Sequence, residues 1–238
     1  MGSTRTDGHV EVMSDRVVAS AKPNAVGYGE AIWPSTNPYC ATVPATENNP
    51  ATVLDFATSF VAMGKIRVAR NKGEPAPEGA LIGLDGKPNR DPNIMYMEPK
   101  QGALQPFGEH KGYGLALLNE ILPAAMNGAV GCRPETEFDP PKTINNMLSV
   151  IMDPMKLVSR ERFNSEVDAT IKHVKASPPG NPDKPVLVPG DPERMSAAAR
   201  KADGVPVDDE TWREIADAAV SVGMTVDALN DIAGVRAA

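Results

Sequence analysis

The chain has 238 residues, 41% hydrophobic and 23% charged, with a formal net charge of −7. That is enough chain for one large core or two small ones, and its charge gives no support to a nucleic-acid partner. The longest apolar runs fall far short of the ~20 residues a membrane span needs, and the opening MGSTRTDGHVEVMSDR lacks the apolar stretch of a secretory signal.

In chain order, VMSDRVVAS (12–20) reads as a strand. YCATVP (39–44) and TVLDFAT (52–58) read as two more, hairpin-like about the turn cluster ATENNP (45–50). FVAMGKIRVARN (60–71) places Val61, Lys65 and Val68 at helical spacing, weakened by Gly64. The Pro- and Gly-rich stretch 73–106, with LIGLDGKPNRDP in it, reads as an irregular surface excursion. Residues 111–128 form the strongest helix, its apolar face marked by Leu115, Leu118, Ile121, Leu122 and Ala125. Pro123 is expected to kink it or end it early.

GCRPETEFDPPKT (131–143) reads as a loop, and NNMLSVIMD (145–153) as a buried strand that breaks at Asp153-Pro154. A helix over about 159–176 aligns Phe163, Val167, Ile171 and Val174; SPPGNPDKP (177–185) is a linker and VLVPG (186–190) a short strand. Asp191 is expected to cap the next helix, with Pro192 and Glu193 following, and Gly204 to close it. Asp208 opens a last helical segment with Trp212, Ile215 and Ala219 on one side. The alternation of elements gives an α/β fold with a mixed sheet and flanking helices. The G-x-G-x-x-G fingerprint is absent, since GYGEAI (27–32) has no helical pattern after it.

Three stretches suit a ligand. In FGEHKGYGLALLNEI (107–121), Lys111 and a helix N-terminus would attract a phosphate or carboxylate. Gly112 and Gly114 would admit it to the backbone, and His110 would donate a hydrogen bond to it; a solvated loop carrying a lysine is the plainer alternative. In VLDFATS, Asp55 sits inside an apolar strand and would need a hydrogen-bond partner if buried. Thr58 and Ser59 either line a strand-end pocket or cap the following helix. VPGDPE (188–193) is a second anion site or an ordinary capped helix. His9, His110 and His173 are too scattered for a zinc site, and no G-x-S-x-G elbow occurs. Cys40 and Cys132, without C-x-x-C spacing, read as reduced thiols of a cytoplasmic protein.

Taken in order, STNPY, LDFATS, GKIRVARNKGEPAPEGALI, GKPNRDP, QGALQPFGEHKGYGLALLNEIL, NNMLSVIMDP and VPGDPE resemble the malate/L-lactate/ureidoglycolate dehydrogenase family from about residue 34 to the C-terminus. The resemblance implies an NAD- or NADP-dependent oxidoreductase of small 2-oxo or 2-hydroxy acids, with imine reductases among its relatives. It also implies a non-Rossmann cofactor domain and a homodimer, while the absence of metal, nucleic-acid and membrane roles is expected from the composition and spacing above. It divides the chain into a poorly matched segment 1–34, a cofactor-binding α/β domain 35–190, and helices 191–238 belonging to the family's other domain. Carried over by motif, the cofactor contacts are Leu54, Asp55, Phe56, Ala57, Thr58, Ser59, Phe60, His110, Lys111, Gly190, Asp191 and Pro192.

Family members extend further at the N-terminus, where S-H-G and N-H-F-G-like motifs supply the expected acid and substrate ligands. Here the upstream histidine is His9, in DGHVEV, and it matches neither. The proton donor is therefore unassigned. Two classes follow: a working dehydrogenase with another acid, such as His110, or a truncated member that is catalytically weak and serves as a cofactor-binding or interaction module. Arg67, Arg70 and Lys72 either favour a 2′-phosphate or form a solvated basic face.

Overall fold

The computed structural model describes residues 8–16 (as backbone), 36–97, 101–130 and 144–234. The expectations for 17–35 and 131–143, and for Cys132, lie outside them. Strand β1 (Gly8–Arg16) takes in the first part of VMSDRVVAS. The two runs around ATENNP form β2 (Tyr39–Val43) and β3 (Thr52–Phe56), paired antiparallel with Tyr39 opposite Phe56 and Val43 opposite Thr52. β1 pairs with β2, and along its whole length with β7 (Ile144–Met152), giving the order β3-β2-β1-β7. The α/β class is as expected; every strand pairing among the described residues is antiparallel, so the parallel pairs of a mixed sheet do not occur among them.

The stretch 73–106 differs from the expected surface excursion. β4 (Leu81–Gly83) lies between β5 (Pro88–Asn89) and β6 (Gly102–Leu104) in a second sheet. Ala76, Ala80 and Leu81 are fully buried there, in a cluster with Val61, Ile66, Ile94 and Met95. Short apolar triplets between Gly and Pro hide this core from any periodicity count. Gly102 shows how tight it is: a Cβ would lie 2.4 Å from Ile94 Cδ1 and 2.5 Å from the Ile82 carbonyl.

Helix α1 (Met63–Asn71) turns Ile66 and Ala69 into this core, leaving Lys65 and Val68 outside. The expected Val61/Lys65/Val68 face is thus rotated. Helix α2 (His110–Met126) departs further. Its buried residues are Gly112, Ala116, Asn119, Glu120, Pro123 and Ala124, while Leu118 is 52% and Met126 66% exposed, with Leu117, Ile121 and Leu122 also outward. Polar contacts with the STNPY segment set that orientation. Buried Asn37 donates through Nδ2 to the Ala116 carbonyl (3.0 Å) and to Glu120 Oε2 (3.1 Å). Asn119 Nδ2 donates back to the Asn37 carbonyl at 2.8 Å. Pro123 is buried within the helix, which runs on to Met126.

After β7, Asp153 caps a 3₁₀ turn and Ser159 caps α3 (Arg160–Lys175), whose Ile171 is buried. VLVPG is irregular and forms no strand. α4 (Asp191–Asp203) is capped by Gly190 at φ 96°, so Asp191 is its first helical residue and not its cap. Gly204 closes α4 at positive φ, Asp208 caps α5 (Asp209–Ser221) and Thr225 caps α6 (Val226–Ala233). α5 docks on α1 through an Arg67–Glu214 ion pair and an Asn71–Thr211 side-chain hydrogen bond of 3.2 Å. No helix among the described residues is long and apolar enough to cross a membrane.

Candidate functional site

The LDFATS segment continues β3 past Phe56 and turns across the mouth of α2. Thr58 donates its backbone N–H (2.8 Å) and its hydroxyl (2.9 Å) to the Thr36 carbonyl, and Ser59 Oγ donates to the Val61 carbonyl at 2.7 Å. Both hydroxyls are therefore taken up by backbone carbonyls, one in the STNPY segment and one in the turn itself. Neither caps α1, whose cap position Ala62 has no side-chain hydrogen bond. The Phe60 N–H meets the Gln105 carbonyl (2.7 Å), the Phe107 N–H meets the Thr58 carbonyl (3.1 Å), and Ser59 bridges Pro106. The Phe56 ring packs edge-on against Phe107 at 5.4 Å and tilts against Tyr39 at 5.7 Å. Two motifs separated by some fifty residues of sequence are thus stitched into one wall. Leu54 and Asp55 are exposed on β3, so the Asp55 carboxylate pays no burial cost.

At the helix mouth Gly108 and Glu109 both have positive φ, 54° and 55°. This fold-back lets the loop satisfy the first helical donors: Lys111 N–H bonds to the Gly108 carbonyl (3.2 Å) and Gly112 N–H to the Phe107 carbonyl (3.0 Å). These donors are spent locally, not left open for an anion as expected. Gly112 is buried, and a Cβ there would lie 2.1 Å from the Phe107 carbonyl oxygen. It serves packing, whereas the space around Gly114 is open. His110 and Lys111 project as exposed side chains, and Lys111 has no ion pair among the described residues. What remains at the mouth for an anion is the exposed Lys111 ammonium.

The third predicted segment lies at the other end of β3. The Val53 N–H donates to the Pro189 carbonyl at 3.2 Å, placing Gly190 beside the strand. The Asp191 carboxylate accepts from the Val188 N–H (3.0 Å), Lys175 Nζ (2.9 Å) and an Arg194 nitrogen (2.6 Å). Arg194 also donates to the Ala51 carbonyl at 3.0 Å. The Val188 N–H, then Lys175 and Arg194, hold the Asp191 carboxyl well below the usual carboxylate range. Gly190 has positive φ, and a Cβ would come within 2.7 Å of the Arg194 guanidinium and 3.3 Å of the Val53 nitrogen. Sequence reasoning missed Lys175 and Arg194; the Asp191–Arg194 spacing of one helical turn was the available signal for the latter.

Other candidates fall elsewhere. His173 lies in the exposed last turn of α3. Arg67 pairs with Glu214, and the Arg70 guanidinium lies over the Tyr96 ring at 4.5 Å, so these two side chains have protein partners. Among the described residues no cluster of three or more His, Cys, Asp or Glu could hold a metal.

The family model for malate/L-lactate dehydrogenase matches residues 17–216, beginning upstream of the first motif and ending within α5. Hydroxycarboxylate dehydrogenase B of Escherichia coli (strain K12) is 40% identical over 195 residues, covering 82% of this chain and 53% of that protein. L-lactate dehydrogenase of Cupriavidus necator is 35% identical over 192 residues, covering 81% and 54%. A provisionally assigned malate/lactate dehydrogenase structure from E. coli superposes with a TM-score of 0.78 at 37% identity, covering 94% of this chain and 62% of that one. The chain spans about half the length of the curated relatives it matches.

Proposed function

The chain belongs to the malate/L-lactate dehydrogenase family, and from that premise we propose that it binds a nicotinamide dinucleotide and serves hydride transfer between that cofactor and a small 2-hydroxy acid and its 2-oxo partner. The observation that carries this reading is the convergence of all three motif segments on one strand. Residues 54–60 and the α2 mouth meet at the end of β3, and Gly190–Pro192 sits at its start. At about 3.3 Å per residue, Val53 to Thr58 spans roughly 17 Å, a length suited to an extended dinucleotide.

The residues fit such a cofactor. Lys111 would neutralise a phosphate with its exposed ammonium. Thr58, Ser59 and Phe60 would line the cofactor's path, their backbone already fixed by Thr36, Val61 and Gln105. Gly190 to Pro192 would present backbone at the far end. The nicotinamide, when bound, supplies or accepts the hydride. His110 would hold or release the accompanying proton at its imidazole.

Relatives named for hydroxycarboxylates, L-lactate, malate and (S)-sulfolactate support a 2-hydroxy acid substrate. In the same proposal residues 35–190 form the cofactor unit, 191–238 belong to the family's second domain, and the protein is a cytoplasmic homodimer. A second reading, a cofactor-binding module with little turnover, is favoured by one observation: the upstream histidine, His9 in DGHVEV, matches neither of the histidine motifs that the family resemblance leads one to expect. The two separate by assay. With NADH or NADPH and a panel of 2-oxo acids, the dehydrogenase reading predicts substrate-dependent oxidation of the cofactor. Binding without oxidation of either cofactor supports the module.

A further inference from the structure

The segment from Thr36 to Pro38 is bonded on two sides. Toward β3, the Thr36 carbonyl accepts from both the N–H and the hydroxyl of Thr58. Toward α2, Asn37 Nδ2 donates to the Ala116 carbonyl (3.0 Å) and to Glu120 Oε2 (3.1 Å). Asn119 Nδ2 donates back to the Asn37 carbonyl (2.8 Å) and the Pro38 carbonyl (3.3 Å). Asn37, Asn119 and Glu120 are all buried, and none of the three has a buried side-chain polar atom left without a partner. A buried polar network satisfied in this way holds one geometry. Asn37 keeps its place in it at φ 30°, a backbone region that asparagine enters more readily than most other non-glycine residues.

The network grips α2 one turn and more beyond its mouth. Ala116 follows Lys111 by five residues, about 7.5 Å along the axis at 1.5 Å per residue. Rotation of the helix by one residue would carry every side chain roughly 100° around that axis, so whatever fixes the facing of α2 also fixes where Lys111 stands. Apolar burial does not fix it, since Leu118, Ile121 and Leu122 point outward. The Phe107–Thr58 backbone bond ties the loop before the helix to the LDFATS turn, but a loop contact sets no rotation. The amide and carboxylate of Asn37 and Glu120 remain.

We propose that Asn37 is a positioning residue for the cofactor site: through Glu120 and the Ala116 carbonyl it turns α2 so that Lys111 faces the LDFATS wall, without itself touching the ligand. The inference rests on the dinucleotide reading above. It adds that one asparagine, bonded on both sides of the site, sets the distance between the site's cation and its wall.

The test is a double-mutant cycle on the affinity of the full chain for NADH and NADPH, with Lys111→Ala introduced into four backgrounds: wild type, Asn37→Gly, Glu120→Leu and Glu120→Gln. Asn37→Gly removes the amide and keeps a backbone at ease with positive φ. Glu120→Leu removes the acceptor from the helix side, and Glu120→Gln keeps one. Urea midpoints report folding separately. The proposal predicts that Lys111→Ala weakens binding about tenfold in the wild type and in Glu120→Gln, and less than about twofold in Asn37→Gly and Glu120→Leu, where the lysine is already out of place. A role confined to stability would lower the urea midpoint and leave the full effect of Lys111→Ala in every background; that result in either folded variant overturns the proposal. If Lys111→Ala changes nothing in the wild type, the positioning role falls and the dinucleotide reading stands. If the wild type binds neither cofactor, both fall together.

Discussion

The two ends of β3 are built from different physics. At its exit, 56–60 and 105–112 are joined by backbone hydrogen bonds and an edge-on ring pair, while the Thr58 and Ser59 hydroxyls are held by the Thr36 and Val61 carbonyls. At its entry, 188–194 is held by a carboxylate with two cations around it. The consequence is where charge remains available. Lys175 and Arg194 are committed to Asp191, while Lys111 at the exit has no such partner among the described residues. A hydrogen-bonded frame beside a cation with no ion pair among the described residues is an arrangement that suits an anionic ligand. The charged end works as a brace.

The largest expected effect breaks the end held by backbone hydrogen bonds. Gly112→Ala drives a Cβ into the Phe107 carbonyl and should cost about 3 kcal/mol, read as a lowered urea midpoint at unchanged m-value. Gly114→Ala, two residues on with open space around it, should instead gain about 0.5–1 kcal/mol. Equal effects from the two would refute the packing assigned to Gly112.

The charged end should respond to pH. Asp191→Asn removes two ion pairs and should cost about 2 kcal/mol at neutral pH. The folded carboxyl holds its proton more weakly than the unfolded one. Its contribution is therefore complete above the unfolded value of about 3.9 and is lost as the pH falls below it. The wild-type-minus-Asn difference in unfolding free energy should shrink as pH is lowered through that range; a difference that grows would contradict the assignment.

Smaller effects sharpen the contrast. Glu109→Gly relieves a positive φ and should stabilise by about 1 kcal/mol in thermal unfolding. Lys111→Ala should move stability by less than about 0.5 kcal/mol while weakening dinucleotide affinity about tenfold, the size of one charge-assisted contact. Asp55→Ala, on an exposed strand face, should likewise leave stability within about 0.5 kcal/mol.

How far these ends were legible in the sequence follows the same division. The β-rich runs on either side of the turn cluster ATENNP placed β2 and β3, and the helix over 111–128 was found within two residues of α2's ends. The facing of α2 was not legible. Leucine spacing marks the richest apolar stripe, but the buried stripe is set by Asn37 reaching Ala116 and Glu120 from some eighty residues away. Periodicity carries no information about such long-range polar pairs. The core triplet Leu81–Gly83 was missed because three residues are too few for a period to declare itself. The site segments were found by helix-end chemistry and by motif. Their convergence on β3, and the commitment of Lys175 and Arg194 to Asp191, depend on tertiary contacts that local sequence cannot encode.

The most direct test of the account is a calorimetric titration of the purified chain with NADH and with NADPH, wild type against Lys111→Ala. The account predicts saturable binding of at least one of the two to the wild type, weakened about tenfold in the variant, with both proteins equally folded. Saturable binding of identical strength to both proteins would contradict the role given to the α2 mouth, and no binding to the wild type would contradict a dinucleotide site along β3.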